Sequence, residues 1–263
     1  MHDPINNKLI DIWRKSGMAS GDTLLLHSSV IDLLAQLRRE FKSRTGPKEV
    51  LASLLEALGS KGTLVLPLFN FDWPNTGRFD IRTTPSQMGV LSEAGRRHPD
   101  AVRTGHPIYS FAAIGHQAKA FAGVNNISGY GADSPFAIVH QLDGRIGVIG
   151  LPDQTSMTSY HYVEEQNLVD YRYFKNFPGQ YTDATGATHD RTYKLYVRDL
   201  DRGVKTDGNR MMDHLWDIGA YVGDKYNEGY GTRTIRFNTM YDEVERMIQR
   251  GEAINYLYSI KKP

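Results

Sequence analysis

His161 and Glu164 are the residues whose types and spacing are best suited to catalysis in this sequence. Side chains three residues apart share one face of a helix, so the carboxylate can orient the imidazole or stabilise its protonated form. Because the ordinary pKa of histidine is about 6.5, the imidazole is the natural base near neutral pH. An exposed histidine beside a solvated acidic patch fits the same spacing, and the spacing alone leaves both interpretations open.

A metal site is the next interpretation of this segment, because Glu165 adds another potential ligand. Only one histidine is present there, however, and the two-histidine helical spacing of zinc sites is missing. The chain also contains no cysteine, which excludes disulfides, thiolate metal ligands and a cysteine acyl-enzyme. We therefore expect a reaction that does not depend on a metal.

Two further segments place polar groups beside predicted strands. An apolar run ends in the triplet His27-Ser28-Ser29, whose hydroxyls and backbone amides can bind an extended ligand or can cap the next helix. Farther along the chain, Arg103 can hold a phosphate or a carboxylate, and Ser110 can donate a hydrogen bond to an amide. Taken by itself, this second segment is better explained by a surface arginine followed by an ordinary strand entry.

Three common catalytic motifs are missing from the sequence. It contains no glycine-x-serine-x-glycine nucleophile elbow, no phosphate-binding loop with lysine and serine or threonine, and no dinucleotide glycine fingerprint. These absences argue against a serine hydrolase, against nucleotide hydrolysis and against redox chemistry with a dinucleotide.

The elements that must position these residues follow from hydrophobic periodicity and capping signals. The predicted helices cover residues 4–17, 47–58, 84–97, 135–144, 159–168 and 240–249. The predicted strands cover residues 23–27, 62–67, 145–150, 192–197 and 254–260, and residues 106–115 are predicted to be a strand with its approach loop. A long aromatic loop, residues 68–84, is either a packed surface lid or part of a binding site. Because strands and helices mix without strict alternation, we expect a single irregular α/β or α+β domain.

Composition narrows the class of protein. The chain has 263 residues, of which 40% are hydrophobic, and its formal net charge is +1. This balanced charge gives no field that attracts nucleic acid or a membrane surface. No apolar run approaches the roughly 20 residues needed to span a bilayer. We expect a soluble, cytoplasmic protein without a nucleic-acid or membrane partner. The sequence does not decide whether the protein forms an oligomer.

Seven sequence blocks in order, over residues 21–165, carry a resemblance to a known family. The blocks are Gly21-Asp22 through His27-Ser28-Ser29, Gly62 to Pro67, Phe79-Asp80 with Thr84 to Gly89, Arg103 with His106-Pro107 and Ser110, Tyr130 to Pro135, Gly147 to Gly150, and His161-x-x-Glu164. Together they resemble the aminoglycoside N3-acetyltransferase family, also called the antibiotic N-acetyltransferase family. The resemblance implies a mixed central sheet flanked by helices, with an antiparallel C-terminal part. It implies one domain over residues 1–263, with a coenzyme and catalytic core in residues 21–178 and the acceptor side in residues 179–263.

The resemblance also implies a reaction and assigns residues to it. The reaction is transfer of an acetyl group from acetyl-CoA to an amine of an aminoglycoside or a related amino sugar, with His161 as general base and Glu164 as its acidic neighbour. The blocks that match the coenzyme site contain His27, Ser28, Ser29, Val30, Arg103, Ser110, Phe111 and Ser134. Asp72 and Glu165 are assigned to the acceptor.

The identity of the acceptor leaves alternatives open. The loop of residues 70–78 contributes only Asp72 as an acid, whereas each ammonium of a polycationic aminoglycoside needs neutralisation when it is desolvated. The same chemistry on a nucleotide-linked amino sugar of surface polysaccharide synthesis would instead use Arg78, Arg82 or Arg103 for its phosphates. A non-catalytic protein that binds the coenzyme or a sugar is the remaining interpretation.

Overall fold

The computed structural model describes residues 3–42 and 44–260, so residues 1, 2, 43 and 261–263 of the predicted domain lie outside the described residues. The helices are α1 (Pro4–Lys15), α2 (Ile31–Phe41), α3 (Pro47–Leu58), α4 (Trp73–Thr76), α5 (Val90–Arg96), α6 (Pro135–Gln141), α7 (Asp153–Ser156), α8 (Ser159–Gln166), α9 (Asn209–Asp217), α10 (Phe237–Gln249) and α11 (Ala253–Tyr256). The strands are β1 (Thr23–Ser28), β2 (Thr63–Pro67), β3 (Arg78–Asp80), β4 (Val102–Arg103), β5 (Phe111–Gly115), β6 (Arg145–Ile149), β7 (Arg172–Thr182), β8 (Thr188–Arg198), β9 (Val204–Thr206), β10 (Val222–Gly223), β11 (Thr232–Arg236) and β12 (Tyr258–Ile260).

The central sheet contains seven strands in the order β10-β11-β6-β1-β2-β5-β4. β1 lies in its middle and runs parallel to β2 and to β6, with Leu25 opposite both Val65 and Ile146. The next strands outward, β5 and β11, run antiparallel to their neighbours β2 and β6. The sheet is therefore mixed, as the resemblance implied, and β11 brings the C-terminal part of the chain into it.

Alternate residues of β1 face opposite sides of the sheet, since successive side chains of a strand point to opposite faces. Leu24 and Leu26 pack in one core with residues of α1, α2 and α3. Leu25 packs in the other core with Ile146 and with residues of α6, α8 and α10. His27 alternates in step with Leu25, so it lies on the α8 side. Helices thus cover both faces of the sheet, which explains why β1 and β2 are buried along nearly their whole length.

The connections around β1 create a crevice at one edge of the sheet. The chain leaves β1 toward α2 and α3 on one face, but leaves β6 toward α7 and α8 on the other face. Adjacent parallel strands whose connections diverge in this way form the usual ligand site of open α/β sheets, beyond their carboxyl ends. Ser28 and Ile149, which are register partners, end the two strands here. The polar triplet and the helix that carries His161 therefore lie at the same edge.

A separate three-stranded sheet, in the order β3-β7-β8, is built around an antiparallel hairpin of two 11-residue strands. The aromatic loop of residues 68–84 contains α4 and β3, and β3 pairs in parallel with β7. Trp73 and Phe79 of this loop are buried against Tyr181 and Tyr193 of the hairpin. These two side chains fit the expectation of a packed element, whereas Phe71 is 45% exposed.

The helix predicted over residues 84–97 is wrong over its first part, because α5 begins only after Gly89. Gly89 has a φ of 94°, which lies outside the right-handed helical region, so the helix cannot extend back through it. The predicted capping box is also absent. Thr84 Oγ1 accepts a hydrogen bond from the Asp80 amide at 2.9 Å, and the Ser86 amide donates to the Glu93 carboxylate at 3.1 Å.

Several other elements differ from the sequence-based expectation. β5 begins only at Phe111 of the segment 106–115, which is predicted to be a strand with its approach loop, and α9 and β11 are not predicted from the sequence. The capping signals do not predict α2, because its N-cap Val30 offers no side-chain hydrogen bond. The strand predicted over residues 254–260 is wrong over its first half, where α11 precedes β12, since so short an apolar run cannot distinguish a strand from one helical turn. None of the described helices is long and apolar enough to cross a lipid bilayer.

Candidate active site

α8 presents His161 near the carboxyl edge of the sheet. The chain leaves β6 at Ile149, forms the short helix α7 and enters α8 at Ser159. Tyr160 and Val163 are buried and hold α8 against the core. The side chain of His161, in the first turn of α8, is 20% exposed. The imidazole can therefore be reached from solvent although its helix is packed in place.

The contact expected from the spacing of His161 and Glu164 is formed. Nδ1 of His161 lies 2.6 Å from Oε2 of Glu164, and the carboxylate side chain is only 1% exposed. An ionised carboxylate can only accept hydrogen bonds, so Nδ1 carries the proton and Nε2 keeps its lone pair. This is the tautomer that a general base needs.

Arg172, the first residue of β7, is a third member of this cluster and is not among the residues predicted from the sequence. Its Nε forms an ion pair with the same Oε2 of Glu164 at 2.7 Å, and its Nη1 donates to the carbonyl of Tyr196 at 3.1 Å. Arg172 lies beyond the end of α8, where helical spacing no longer predicts contacts. No sequence signal could therefore have found it.

Burial and neighbouring charges set the protonation of this cluster. Burial lowers the pKa of His161 below its usual value, and the charge of Arg172 lowers it further, against the opposing effect of Glu164. Burial by itself raises the pKa of Glu164, but Arg172 and His161 outweigh that effect, so this pKa is lowered. At neutral pH the cluster therefore holds a neutral imidazole, a carboxylate and a guanidinium.

The two residues assigned to the acceptor lie in different surroundings. Glu165 is 6% exposed, accepts a hydrogen bond from Ser128 Oγ at 2.8 Å, and has a pKa that burial raises. Asp72 is exposed and accepts a hydrogen bond from Gln87 Nε2 at 3.0 Å. Their roles toward an acceptor stay predictions. Within residues 3–42 and 44–260, no three histidine or carboxylate side chains cluster closely enough to hold a metal ion.

A row of aromatic rings connects the end of β1 with the candidate base. The successive ring centroids are 6.0, 4.6, 4.9 and 5.5 Å apart along the row His27, Phe69, Tyr109, Tyr130 and His161. These spacings are those of packed aromatic pairs. The row shows that His27 and the imidazole of His161 lie on the same side of the sheet and share one apolar support.

The four predicted coenzyme residues at the end of β1 use their polar groups differently. Burial lowers the pKa of His27 to about 4, so its imidazole is neutral at pH 7. Its Nε2 and the Oγ of Ser28 are buried without a hydrogen-bond partner in the described part of the chain. The Ser29 amide donates to the carbonyl of Ile149 at 2.8 Å, and Val30 is the N-cap of α2. Unpaired buried polar atoms at a crevice need an explanation, and a bound polar ligand provides one.

The other four predicted coenzyme residues are engaged inside the protein. Arg103 Nη1 donates to two backbone carbonyls of the aromatic loop, both at 2.8 Å. Ser110 is fully buried and donates to the carbonyl of Leu68 at 3.3 Å. Phe111 is also fully buried, and Ser134 caps the N-terminus of α6 through its side chain. These contacts hold the loop, β5 and α6 in place, and a role toward the coenzyme stays a prediction.

Solved structures show which class of protein has this fold. The aminoglycoside acetyltransferase AAC(3)-Xa superimposes with a TM-score of 0.77 and 23% identity, over 94% of this chain and 92% of that chain. The apoenzyme of the aminoglycoside acetyltransferase AAC(3)-IVa superimposes with a TM-score of 0.72 and 25% identity, over 95% of this chain and 90% of that chain. The fold is therefore the one found in aminoglycoside acetyltransferases.

Sequence comparison then identifies the family. The family profile described as aminoglycoside 3-N-acetyltransferase matches residues 34–247. Aminoglycoside N(3)-acetyltransferase VII of Streptomyces paromomycinus is 32% identical over 229 residues, which cover 79% of this chain and 68% of that protein. Aminoglycoside N(3)-acetyltransferase IV of Salmonella sp is 32% identical over 171 residues, which cover 60% of this chain and 61% of that protein. The chain belongs to the aminoglycoside 3-N-acetyltransferase family.

Membership of the family decides several of the expectations drawn from the sequence. The predicted family, the mixed α/β fold, the class of acyl-CoA-dependent N-acetyltransferases and the use of acetyl-CoA are confirmed. The chain spans just over two thirds of the Streptomyces relative and less than two thirds of the Salmonella relative. The division into a core and an acceptor part, and the roles of single residues, stay predictions.

Proposed function

We propose that this protein transfers the acetyl group of acetyl-CoA to an amino group of an aminoglycoside, with His161 as the general base. The observation that carries the proposal is the 2.6 Å contact between His161 and Glu164, which leaves Nε2 free on a side chain that solvent can reach. The family supports the substrate class. Among structures of the same fold, AAC-VIa is bound to sisomicin and AAC-IIIb is a binary complex with CoASH.

The reaction needs an amine without its extra proton, because an ammonium has no lone pair with which to attack. Nε2 of His161 accepts a proton from the amine nitrogen while that nitrogen attacks the thioester carbonyl. The C–N bond forms, the C–S bond breaks, and the sulfur leaves as a thiol once it is protonated. Through Nδ1–H, Glu164 stabilises the imidazolium that forms in this step. Because acetyl-CoA is a cytoplasmic metabolite, we assign the activity to the cytoplasm.

Donors at the end of β1 are suited to the negative charge that develops on the thioester oxygen. The Ser29 amide already donates to the Ile149 carbonyl, so it is not free for this role. The hydroxyl of Ser28 and Nε2 of His27 have no hydrogen-bond partner among the described residues. Preorganised donors in a site that excludes water are the usual device for this stabilisation. The Ser28 hydroxyl fits this role, and His27 fits it in the tautomer that carries the proton on Nε2.

A nucleotide-linked amino sugar, the alternative acceptor, needs free cations for its phosphates. Two of the three arginines expected to serve it are engaged elsewhere. Arg103 donates to backbone carbonyls, and Arg82 pairs with Asp80 at 2.8 Å. Because only Arg78 of the three is left for a phosphate, the aminoglycoside is favoured as the acceptor.

Thiol release from acetyl-CoA with a panel of acceptors tests the proposal. We expect free thiol with kanamycin- or gentamicin-type amines but not with nucleotide-linked amino sugars, and the acceptor should gain the mass of one acetyl group. Thiol release with nucleotide-linked sugars alone would transfer the assignment to the alternative acceptor. Binding of acetyl-CoA without thiol release on any acceptor would instead support a non-catalytic coenzyme-binding protein.

A further inference from the structure

We propose that Arg172 is a positioning residue for the acyl transfer, which holds the Glu164 carboxylate in the orientation that keeps Nε2 of His161 free for the acceptor amine. The reaction that it serves rests on the proposed function. The geometry that supports the role does not depend on which acceptor is used.

One carboxylate oxygen has two partners in this cluster. Oε2 of Glu164 lies 2.6 Å from Nδ1 of His161 and 2.7 Å from Nε of Arg172. The side chains of Glu164 and Arg172 are 1% and 5% exposed, so water does not replace either contact. Because the same oxygen makes both contacts, the position of the arginine decides where the oxygen that faces the imidazole lies.

Arg172 is itself held by elements outside α8. Its Nη1 donates to the carbonyl of Tyr196 on β8 at 3.1 Å, and its Nη2 donates to Oγ1 of Thr206 on β9 at 3.4 Å. The guanidinium is planar and rigid, so these two hydrogen bonds fix the position of Nε. Nε has no hydrogen-bond partner in the described part of the chain, so its 2.7 Å contact with Oε2 of Glu164 is an ion pair. The long hairpin thereby determines the orientation of the carboxylate on α8.

Without the arginine, the Glu164 carboxylate would be a buried charge with only neutral groups beside it, the imidazole of His161 and the hydroxyl of Tyr171. Burial favours the protonated acid in such a position. A protonated carboxyl group is also a hydrogen-bond donor, so Nδ1 of His161 could become the acceptor and Nε2 could carry the proton. That tautomer cannot serve as the base. Arg172 prevents this exchange because it keeps the carboxylate ionised and in place.

The charged and titratable groups around the pair come from four elements. They are Glu164 on α8 itself, Arg172 on β7 with Tyr171 just before it, Arg198 on β8, and Tyr130 before α6. Arg172 and Arg198 both disfavour the protonated imidazole, with the larger effect from Arg172, and Glu164 favours it. Removal of Arg172 therefore makes proton uptake by the pair easier, and the acid limb of activity should move to higher pH.

The test compares Arg172→Gln with Arg172→Lys and Arg198→Gln. Arg198 offers a matched control because it is the register partner of Arg172 in the hairpin. Its replacement removes the same charge, but no contact of Arg198 with Glu164 is present in the described structure. For each variant, kcat/KM is measured against pH by thiol release. The tautomer and titration of His161 are measured by nitrogen-15 NMR, with His161→Ala used to assign the signal.

We expect kcat/KM of Arg172→Gln to fall on the order of 100-fold, as for a misplaced catalytic group. Its acid limb should move to higher pH, and the imidazole should lose its pure Nδ1–H tautomer. Arg172→Lys keeps the positive charge but lacks the planar guanidinium with its several N–H donors. The decrease of kcat/KM in this variant should therefore be smaller. Arg198→Gln should keep the wild-type tautomer and show at most a small shift of the acid limb.

A wild-type tautomer and a wild-type acid limb in Arg172→Gln would overturn the proposal. Equal shifts in Arg172→Gln and Arg198→Gln would also overturn it, because then only the total charge matters. If Arg172→Gln does not fold, Arg172→Lys decides, and an unchanged kcat/KM in that variant refutes the role. The NMR measurement needs no acceptor, so a wild-type protein that acetylates nothing would refute the proposed function while the tautomer still decides the role of Arg172.

Discussion

Two buried pairs of a carboxylate and an arginine, Glu164–Arg172 and Asp153–Arg233, involve carboxylates that are close together in the sequence. In each pair the closest nitrogen–oxygen distance is 2.7 Å. Asp153 also accepts hydrogen bonds from two buried tyrosine hydroxyls. The side chains of Asp153 and Arg233 are both fully buried. Glu164 instead has His161 as its further partner, and that side chain is 20% exposed.

The difference between the two clusters lies in access, since their ion pairs are alike. Asp153 connects the segment after β6 with Arg233 on β11 and, through Tyr160, with the start of α8. Every partner is buried, so this cluster can only hold the helix in position. The Glu164 cluster ends in a titratable imidazole that solvent can reach, which proton transfer requires. Whether a buried pair of a carboxylate and an arginine is structural or catalytic thus depends on the further partner of the carboxylate. Buried tyrosines make the Asp153 pair structural, whereas an accessible histidine makes the Glu164 pair suited to catalysis.

The largest effect is expected on turnover, when the histidine of the Glu164 cluster is replaced. His161→Ala should lower turnover by about 10²–10⁴-fold, the usual contribution of a general base. Binding of acetyl-CoA, measured by calorimetry, should stay close to that of the wild type, because Glu164 keeps its ion pair with Arg172. Wild-type turnover in this variant would remove His161 from the mechanism and, with it, the functional distinction between the clusters.

Asp153→Ala tests the other side of the comparison through stability. We expect the free energy of unfolding to fall by about 3–5 kcal/mol, because the Arg233 guanidinium is left buried without its counterion. Urea denaturation measures the change. The double variant Asp153→Leu with Arg233→Met removes both charges and should recover most of the loss. A loss below about 1 kcal/mol in Asp153→Ala would show that this cluster does not hold the fold.

Between pH 7.5 and 5, acid sensitivity of the fold should come from core histidines and not from Glu164. Burial lowers the pKa of His27 to about 4 and that of His106 to about 3. Below pH 6.5 the unfolded chain binds protons that the folded chain does not, so stability falls as the pH falls toward these values. The slope is about 1.4 kcal/mol per pH unit for each histidine.

Urea denaturation at pH 7.5, 6 and 5 measures this slope. His106→Gln should weaken the pH dependence because it removes one of the two groups. Glu164 adds no loss in this window, because its lowered pKa keeps it charged. A free energy of unfolding that stays constant from pH 7.5 to 5 would contradict the expectation.

The pH dependence of catalysis should reflect the protonation of His161 in the cluster of His161, Glu164 and Arg172. A general base acts only when it is unprotonated, and burial together with Arg172 lowers the pKa of His161 below 6.5. The acid limb of kcat/KM should therefore have its midpoint below pH 6.5. Thiol-release rates from pH 5 to 8 at low acceptor concentration, divided by the fraction of acceptor amine that is unprotonated at each pH, measure this midpoint. A midpoint at or above pH 6.5 would mean that the imidazole is more solvated than the structure shows.

The smallest effect is expected at Asp72, which belongs to neither cluster. An exposed ion pair contributes about 0–1 kcal/mol, so Asp72→Asn should raise KM for a polycationic aminoglycoside by less than about fivefold and leave kcat unchanged. Added salt should shrink the difference between variant and wild type. A clear loss of kcat in steady-state kinetics would instead place Asp72 beside the reacting amine.

The cluster of His161, Glu164 and Arg172 could be predicted from the sequence only in part. The His161–Glu164 contact is local, and its i,i+3 spacing on a helix was sufficient to predict it. Arg172 and Arg233 reach their carboxylates from other strands, so no periodicity within one element reveals them. The helix predicted from Thr84 failed for a related reason. The backbone of Gly89 adopts a positive φ beside the end of β1, and that packing overrides a local capping signal.

The amino-acid sequence by itself determined the helices with strong caps, the buried central strands and the pairing of His161 with Glu164. These features depend on residues close together in the chain, where backbone geometry fixes which side chains meet. Only the tertiary structure decided that Arg172 pairs with Glu164, that Arg233 pairs with the buried Asp153, and that His161 stays accessible to solvent. Burial and ion pairing between distant segments arise when the layers pack, and they determine which of two similar clusters can exchange a proton with a substrate.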